Sequence, residues 1–237
     1  MPNIIGVAAA LTAEARLFAE WRATPGRRSP AQSPLSIAVT GVGAERAQDG
    51  ARSLLAAGAA ALVSFGFAAG LASDLAPGTL VLPRRVLGVS GRAHAVDGRW
   101  HATLAERLSA HTISDGMLTE VRGPLWDGAA KQALHARSGA VAADMESAAI
   151  ASVAEQSHVP FLAVRAIVDG AAREIPRCAR GALAGDGNVR PAALLLGVLK
   201  RPWELVALLR LARDFSAAAQ ALAAAAAALS ATAGART

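Results

Sequence analysis

The sequence predicts an α/β fold, one domain over residues 1–237 in which a largely parallel sheet is covered on both faces by helices. Three observations predict it. Short apolar runs alternate with segments of helical periodicity along most of the chain. A hydrophobic share of 53% over 237 residues supplies the surface for one large core. No internal repeat and no clear linker divides the chain.

Ile4-Ile5-Gly6-Val7 reads as a first buried strand, and Ala13, Leu17 and Trp21 then recur at helical spacing over Thr12–Trp21. Pro25, Gly26, Pro30 and Pro34 mark a loop before a second strand, Leu35–Val39. Gly41-Val42-Gly43 turns into an Ala-rich helix from about Glu45 to Ala57. A third strand, Ala61–Phe65, ends in Gly66-Phe67-Ala68-Ala69-Gly70. Leu80–Leu82 and Val86–Val89 are further strands, and residues 90–126 read only as a helix with excursions. Val141–Ala143 leads into a helix from Met145 to about Gln156, and Pro160–Ile167 is the last strand. An apolar helical part starts near residue 192: Ala192–Leu199 and Trp203–Leu211, parted by Lys200-Arg201-Pro202 and trailing into the Ala run 223–228. Neither piece has the roughly eighteen uninterrupted apolar residues of a bilayer span. They fit packing on the sheet or a second subunit, or an Arg-flanked face that approaches a membrane surface.

The net charge of +6 comes mostly from Arg residues spread from Arg16 to Arg236 without a dense run. Nucleic-acid binding calls for clustered cations and stacking aromatics; Tyr is absent and aromatics are 4%. Cys178 is the one cysteine, so no intrachain disulfide forms and no thiolate metal site is expected. The start does not read as a signal peptide, and a cytosolic location is expected.

Three acidic residues fall where strand ends are expected: Glu14, Glu146 and Asp169. Cleavage of an N-glycosidic bond passes through an oxocarbenium-like sugar, which needs an acid for the leaving base and carboxylates near the ribose. Asp169, in a dry apolar site, would hold a proton for a ring nitrogen. For an isolated strand-end Asp, a cap on the following turn is the commoner explanation. Glu146, in the first turn of its helix behind Asp144 as N-cap, is explained by capping and the helix dipole alone. The same placement fits a carboxylate accepting two ribose hydroxyls, with Met145 beneath the sugar's apolar face.

Ala143-Asp144-Met145-Glu146-Ser147-Ala148-Ala149-Ile150-Ala151, the strand Val159 to Asp169, and Phe65-Gly66-Phe67-Ala68-Ala69-Gly70-Leu71 before Pro77-Gly78-Thr79 resemble the motifs of the nucleoside phosphorylase and methylthioadenosine/S-adenosylhomocysteine nucleosidase superfamily. The order is the same along nearly the whole chain. Within it, Leu134 to Ala140 and Asp186-Gly187-Asn188-Val189-Arg190-Pro191 through Arg201-Pro202 to Asp214 are similar to the hopanoid-associated phosphorylases, which act on adenosylhopane. The resemblance implies a phosphorylase/hydrolase-like three-layer αβα sandwich with a mixed, largely parallel central sheet. It also implies a cytosolic or membrane-peripheral homodimer using no metal or redox cofactor, with phosphate as a co-substrate if the route is phosphorolysis. In this reading Asp169 protonates the base, Glu146 holds the ribose, Met145, Gly66, Phe67 and Ala68 line the substrate pocket, and Glu14 stands beside the nucleophile.

One departure bears on the acceptor. The phosphorylases hold phosphate with an Arg two residues before the motif Gly and a Ser or Thr after it, where this chain has Ser64 and Phe67. An apolar Phe offers a dianion no donor, so water is favoured over phosphate. The Gly41-Val42-Gly43 turn, with Arg46 nearby, is the remaining place for backbone donors to a phosphate. Two other functions stay open on the sequence: a methylthioadenosine or S-adenosylhomocysteine nucleosidase, and a catalytically silent nucleoside-binding or interaction protein.

Overall fold

A ten-stranded mixed sheet forms the middle layer, and the apolar runs of the sequence supply its centre. The structure, a computed structural model, describes residues 4–21, 34–177 and 200–234. The proline loop around Pro25 and Pro30, Cys178, the 186–191 motif and the segment Ala192–Leu199 lie outside the described residues.

Strands β1 (Ile4–Ala9), β2 (Leu35–Val39), β3 (Ala59–Gly70) and β10 (Phe161–Asp169) run parallel, β1 between β2 and β3, and β3 between β1 and β10. They are rich in apolar residues because helices cover both faces. Beyond β10 come β4 (Leu80–Val81), antiparallel to it, and β7 (Ile113–Ser114). On the other side β9 (Ala142–Asp144) pairs antiparallel with the end of β3 and leads to β8 (Leu118–Glu120), β5 (Arg85–Leu87) and β6 (Ala93–Ala95). Helices α2 (Ala44–Ala56) and α5 (Ser147–Gln156) bury Ala51, Leu54, Ile150 and Val153 against one face of the sheet, beside Leu62 and Ala163. Helices α3 (Gly98–Arg107) and α6 (Leu205–Gly234) bury Trp100, Leu104, Leu222 and Leu229 against the other, beside Val63 and Val164. This is the three-layer αβα sandwich.

Four expectations are corrected. The helix expected over Thr12–Trp21 is a short α1, Thr12–Ala15; after it the chain tightens into turns that bring Phe18 onto Phe65, ring centroids 4.6 Å apart. The third strand does not stop at Phe65 but runs to Gly70, because β10 pairs along it from Leu62 to Ala69. Helix α5 begins at Ser147, not Met145, since Asp144 ends β9 and Glu146 takes the N-cap position. The second C-terminal piece does not stop at Leu211: after a 3-10 turn at Pro202–Glu204, the helix runs unbroken through the Ala run, and Leu205–Ala233 is long and apolar enough to cross a membrane by length and composition. Its second half is spent on the core instead, with Ala218, Leu222, Ala225 and Leu229 all buried.

One detail of register positions the site. β1 pairs with β3 from Ala59 to Phe65, and β9 pairs with Ala69 and Gly70 on the same edge. Between them residues 66–68 have no strand on that edge, which leaves a notch in the sheet.

Candidate active site

A buried carboxylate fills the notch. The amide N–H of Phe67, which a continuous sheet would pair, donates instead to Glu14 Oε1 at 3.0 Å, while Leu11 N–H donates to Oε2 at 2.8 Å. Glu14 is 3% exposed, and burial pushes its carboxyl above the usual range, with the Arg165 guanidinium pulling the other way. Gly66 makes the approach possible: a Cβ there would lie 2.4 Å from Glu14 Oε1 and 2.6 Å from an Arg165 nitrogen.

Arg165 is the centre that sequence reasoning missed, although a lone cation inside an otherwise apolar strand was a usable signal. Its Nε donates to Asp144 Oδ2 at 2.6 Å, and Nη2 donates to Ser64 Oγ at 2.6 Å and Ser147 Oγ at 3.0 Å. Glu146 Oε2 lies 3.9 Å from the same nitrogen. Burial acts to lower the guanidinium's pKa, but Asp144, Glu146 and Glu14 more than reverse it, so the charge is retained.

Glu146 is anchored from two sides. The N–H of Gly43, whose φ of +103° suits glycine, donates to Oε1 at 2.9 Å, and Met145 N–H approaches Oε2 at 3.3 Å. Asp144, expected as N-cap, acts from the strand end: its Oδ1 accepts from the amides of Glu146 at 3.4 Å and Ser147 at 3.2 Å. Burial and the neighbouring Asp144 push the Glu146 carboxyl up to about 7, against Arg165 and the Gly43 N–H.

Asp169 ends β10 with its side chain buried against Lys131, a second residue the sequence did not flag. Lys131 belongs to α4 (Gly128–Ser138), whose N-cap Asp127 accepts from Ala130 N–H at 2.8 Å. Its ammonium donates to Asp169 Oδ2, to the carbonyl of Gly170 at 3.0 Å and to that of Arg173 at 3.1 Å. Burial raises the Asp169 carboxyl and Lys131 lowers it, with a net upward shift.

Glu14, Phe67, Ala68, Met145, Glu146 and Asp169 line one cavity of about 200 Å³. Gly66 lies behind its wall, under Glu14 and Arg165. Of the Gly41-Val42-Gly43 turn, Val42 reaches the cavity; the Gly43 amide is taken by Glu146, and the Arg46 side chain packs beside Gly41 away from the lining. Phe67 packs against Phe215 of α6 in a tilted contact, centroids 4.7 Å apart. Among the described residues no cluster of three or more His, Cys, Asp or Glu suits a metal ion.

This arrangement sits on a widely used scaffold. The 5′-methylthioadenosine/S-adenosylhomocysteine nucleosidase of Neisseria meningitidis, in complex with methylthio-immucillin-A, matches with a TM-score of 0.70 at 17% identity over 95% of this chain and 97% of that one. Futalosine hydrolase of Helicobacter pylori gives 0.68 at 17% identity over 95% and 97%. The H. pylori methylthioadenosine/S-adenosylhomocysteine nucleosidase gives 0.64 at 18% over 72% and 87%. No curated protein matches the sequence. The fold is that of the nucleoside phosphorylase and nucleosidase class of enzymes. The sequence profile of the phosphorylase superfamily matches residues 8–199, so the chain belongs to that superfamily.

Proposed function

We propose that the protein hydrolyses the N-glycosidic bond of a purine nucleoside, releasing adenine from an adenosyl lipid of the hopanoid type. The observation that carries this reading is the convergence of Glu14, Glu146 and Asp169 on one cavity with no Lys or Arg among its described lining residues. Glu146 accepts the ribose hydroxyls while positive charge builds on the sugar, and Met145 lies under the sugar. Asp169 protonates the departing base, and Glu14 takes the proton of the attacking water. A phosphate dianion would meet these carboxylates instead of donors. The nearby guanidinium of Arg165 is already surrounded by Asp144, Glu146 and Glu14, Ser64 is bound to it, and the Gly43 N–H is occupied.

The lipid part of the reading rests on α6. Phe215 packs against Phe67 at the cavity wall, and the preceding stretch exposes Trp203 (74%), Leu205, Val206 and Leu209 among Lys200, Arg210 and Arg213. Apolar and aromatic side chains interleaved with cations suit a membrane interface. The protein is then cytosolic and membrane-peripheral; a homodimer follows from the family resemblance, and no metal or redox cofactor takes part. A second reading, cleavage of methylthioadenosine or S-adenosylhomocysteine, is favoured by the fold shared with those nucleosidases.

Adenine release from adenosylhopane and from methylthioadenosine, each with and without phosphate, tests these readings. Phosphate-independent release giving ribosylhopane supports the proposal. A strict phosphate requirement with a ribose-1-phosphate product overturns the choice of water, and preference for methylthioadenosine moves the substrate to the second reading. Failure on both substrates overturns the activity.

A further inference from the structure

Lys131 is the one fully buried side chain of α4, a helix otherwise half-buried or exposed along its length. A buried lysine is costly unless its charge is matched and its donors are filled. Here both conditions hold: the ammonium has three N–H groups and three acceptors, the Asp169 carboxylate and the carbonyls of Gly170 and Arg173. The count has a chemical consequence. If one proton moves from Nζ to Asp169, the resulting amine still donates to both carbonyls, and its lone pair accepts from the new carboxyl O–H. No hydrogen bond is lost in either state. Neither carbonyl could be served if a Met or Leu stood at this position.

We propose that Lys131 is a positioning residue and proton store for the leaving-group acid: Asp169 passes a proton to the departing purine and regains one from the Lys131 ammonium. The inference rests on the reading of Asp169 as that acid. As the C1′–N bond breaks, its electron pair stays with the base, whose ring nitrogen bonds the proton from Asp169. The Asp169 carboxylate takes a proton from Nζ, and the neutral amine is recharged, once the products leave, by the proton that Glu14 took from the attacking water and releases to the cavity both carboxylates line. Burial raises the Asp169 carboxyl, which brings the two forms of the pair closer in energy. The other charges facing the pair are Arg173, in the segment after β10, and Asp214 of α6, themselves bridged at 2.8 Å. Glu14 and Glu146 share the cavity with Asp169.

The test is the pH profile of kcat for adenine release by the wild type, Lys131→Met and Lys131→Arg, with thermal melting as the folding control. A stored proton keeps wild-type turnover level to higher pH than the acid would hold it unaided. In Lys131→Met the acid is Asp169 alone, and the alkaline fall moves to lower pH. Lys131→Arg keeps the charge and donors but cannot give up a proton, so its kcat stays down by about 10²-fold across the profile. Rescue by Arg, or a loss in Lys131→Met that is the same at every pH, overturns the proposal in favour of a structural role. If neither variant folds, the wild type decides: an alkaline fall already complete below about pH 7 means that Asp169 holds its proton unaided. Absence of adenine release by the wild type is a different failure, that of the proposed function.

Discussion

Asp169 and Lys131 hold each other in place with almost no access to water, so chemistry and stability are tied at this pair. Asp169→Asn removes the proposed acid and strands a buried ammonium. Turnover is expected to fall by about 10² to 10⁴. Unfolding in urea should show a loss of about 3–5 kcal/mol. Adding Lys131→Met to that variant should recover much of the stability and none of the turnover. Glu146 gives a different signature. Its carboxyl is raised from 4.5 to about 7 in the folded protein, so between those values the unfolded chain has released a proton that the folded chain still holds. Stability therefore falls as pH rises through this window and levels off above it. Glu146→Gln has no such proton, and its melting temperature relative to the wild type should be higher at about pH 8 than at about pH 5. Activity should run the other way: in the proposed reaction the ionised carboxylate accepts the ribose hydroxyls, so kcat/KM should climb through about pH 7. A flat profile there would take Glu146 out of the ribose role. That the three carboxylates could be singled out in the sequence reflects their places just past or at expected strands: Asp169 ends β10, Glu146 follows β9, and Glu14 lies in α1 after β1. Arg165 and Lys131 were not legible there, since what makes them matter is burial by residues distant in the chain. The segment Gly128–Ser138 has no apolar stripe to show that position 131 faces inward.

Among the elements, β2 could be placed to the residue, because a mostly apolar run of five residues between turn signals is too short for a helix. Strands of two or three residues such as β6, β7 and β8 have no period to read, which is why residues 90–126 stayed opaque. The stop expected after Phe65 erred for a related reason: glycines signal a turn in sequence, yet here Gly66 lets Glu14 and Arg165 reach the strand. Gly66→Ala is the test of that assignment. Its methyl group would displace both buried side chains, and a shift of about 1 Å in Glu14 should lower kcat by about 10²-fold, with KM changing less. Unchanged kcat would show that Glu14 has no part in activating water.

For the whole molecule, α6 divides into a half that closes the core and a half that meets solvent. Leu222→Ala or Leu229→Ala should cost about 2–5 kcal/mol of stability, as for other fully buried leucines. Trp203→Ser with Leu209→Ser should leave the melting temperature and methylthioadenosine turnover unchanged while weakening sedimentation with anionic vesicles. Vesicle binding equal to that of the wild type would confine this helix to a structural role. The division was hidden in the sequence because alanine and leucine runs serve a core, a subunit contact and a lipid surface alike. Only the packing of Ala218 and Leu222 beneath the sheet shows where the change falls.

The notch on β3 links the folding of the chain to its chemistry. Glu14 reaches the Phe67 amide only because β1 ends at Ala9, opposite Phe65, and β9 resumes at Ala69. Extending β1 by two residues, or sliding it forward along β3, would fill the opening with backbone and evict the carboxylate. A chain misaligned in this way could keep its helices, its core and its solubility and still be inert. Adenine release would then serve as an assay of strand alignment, counting the molecules whose central sheet closed in the one register that leaves it incomplete.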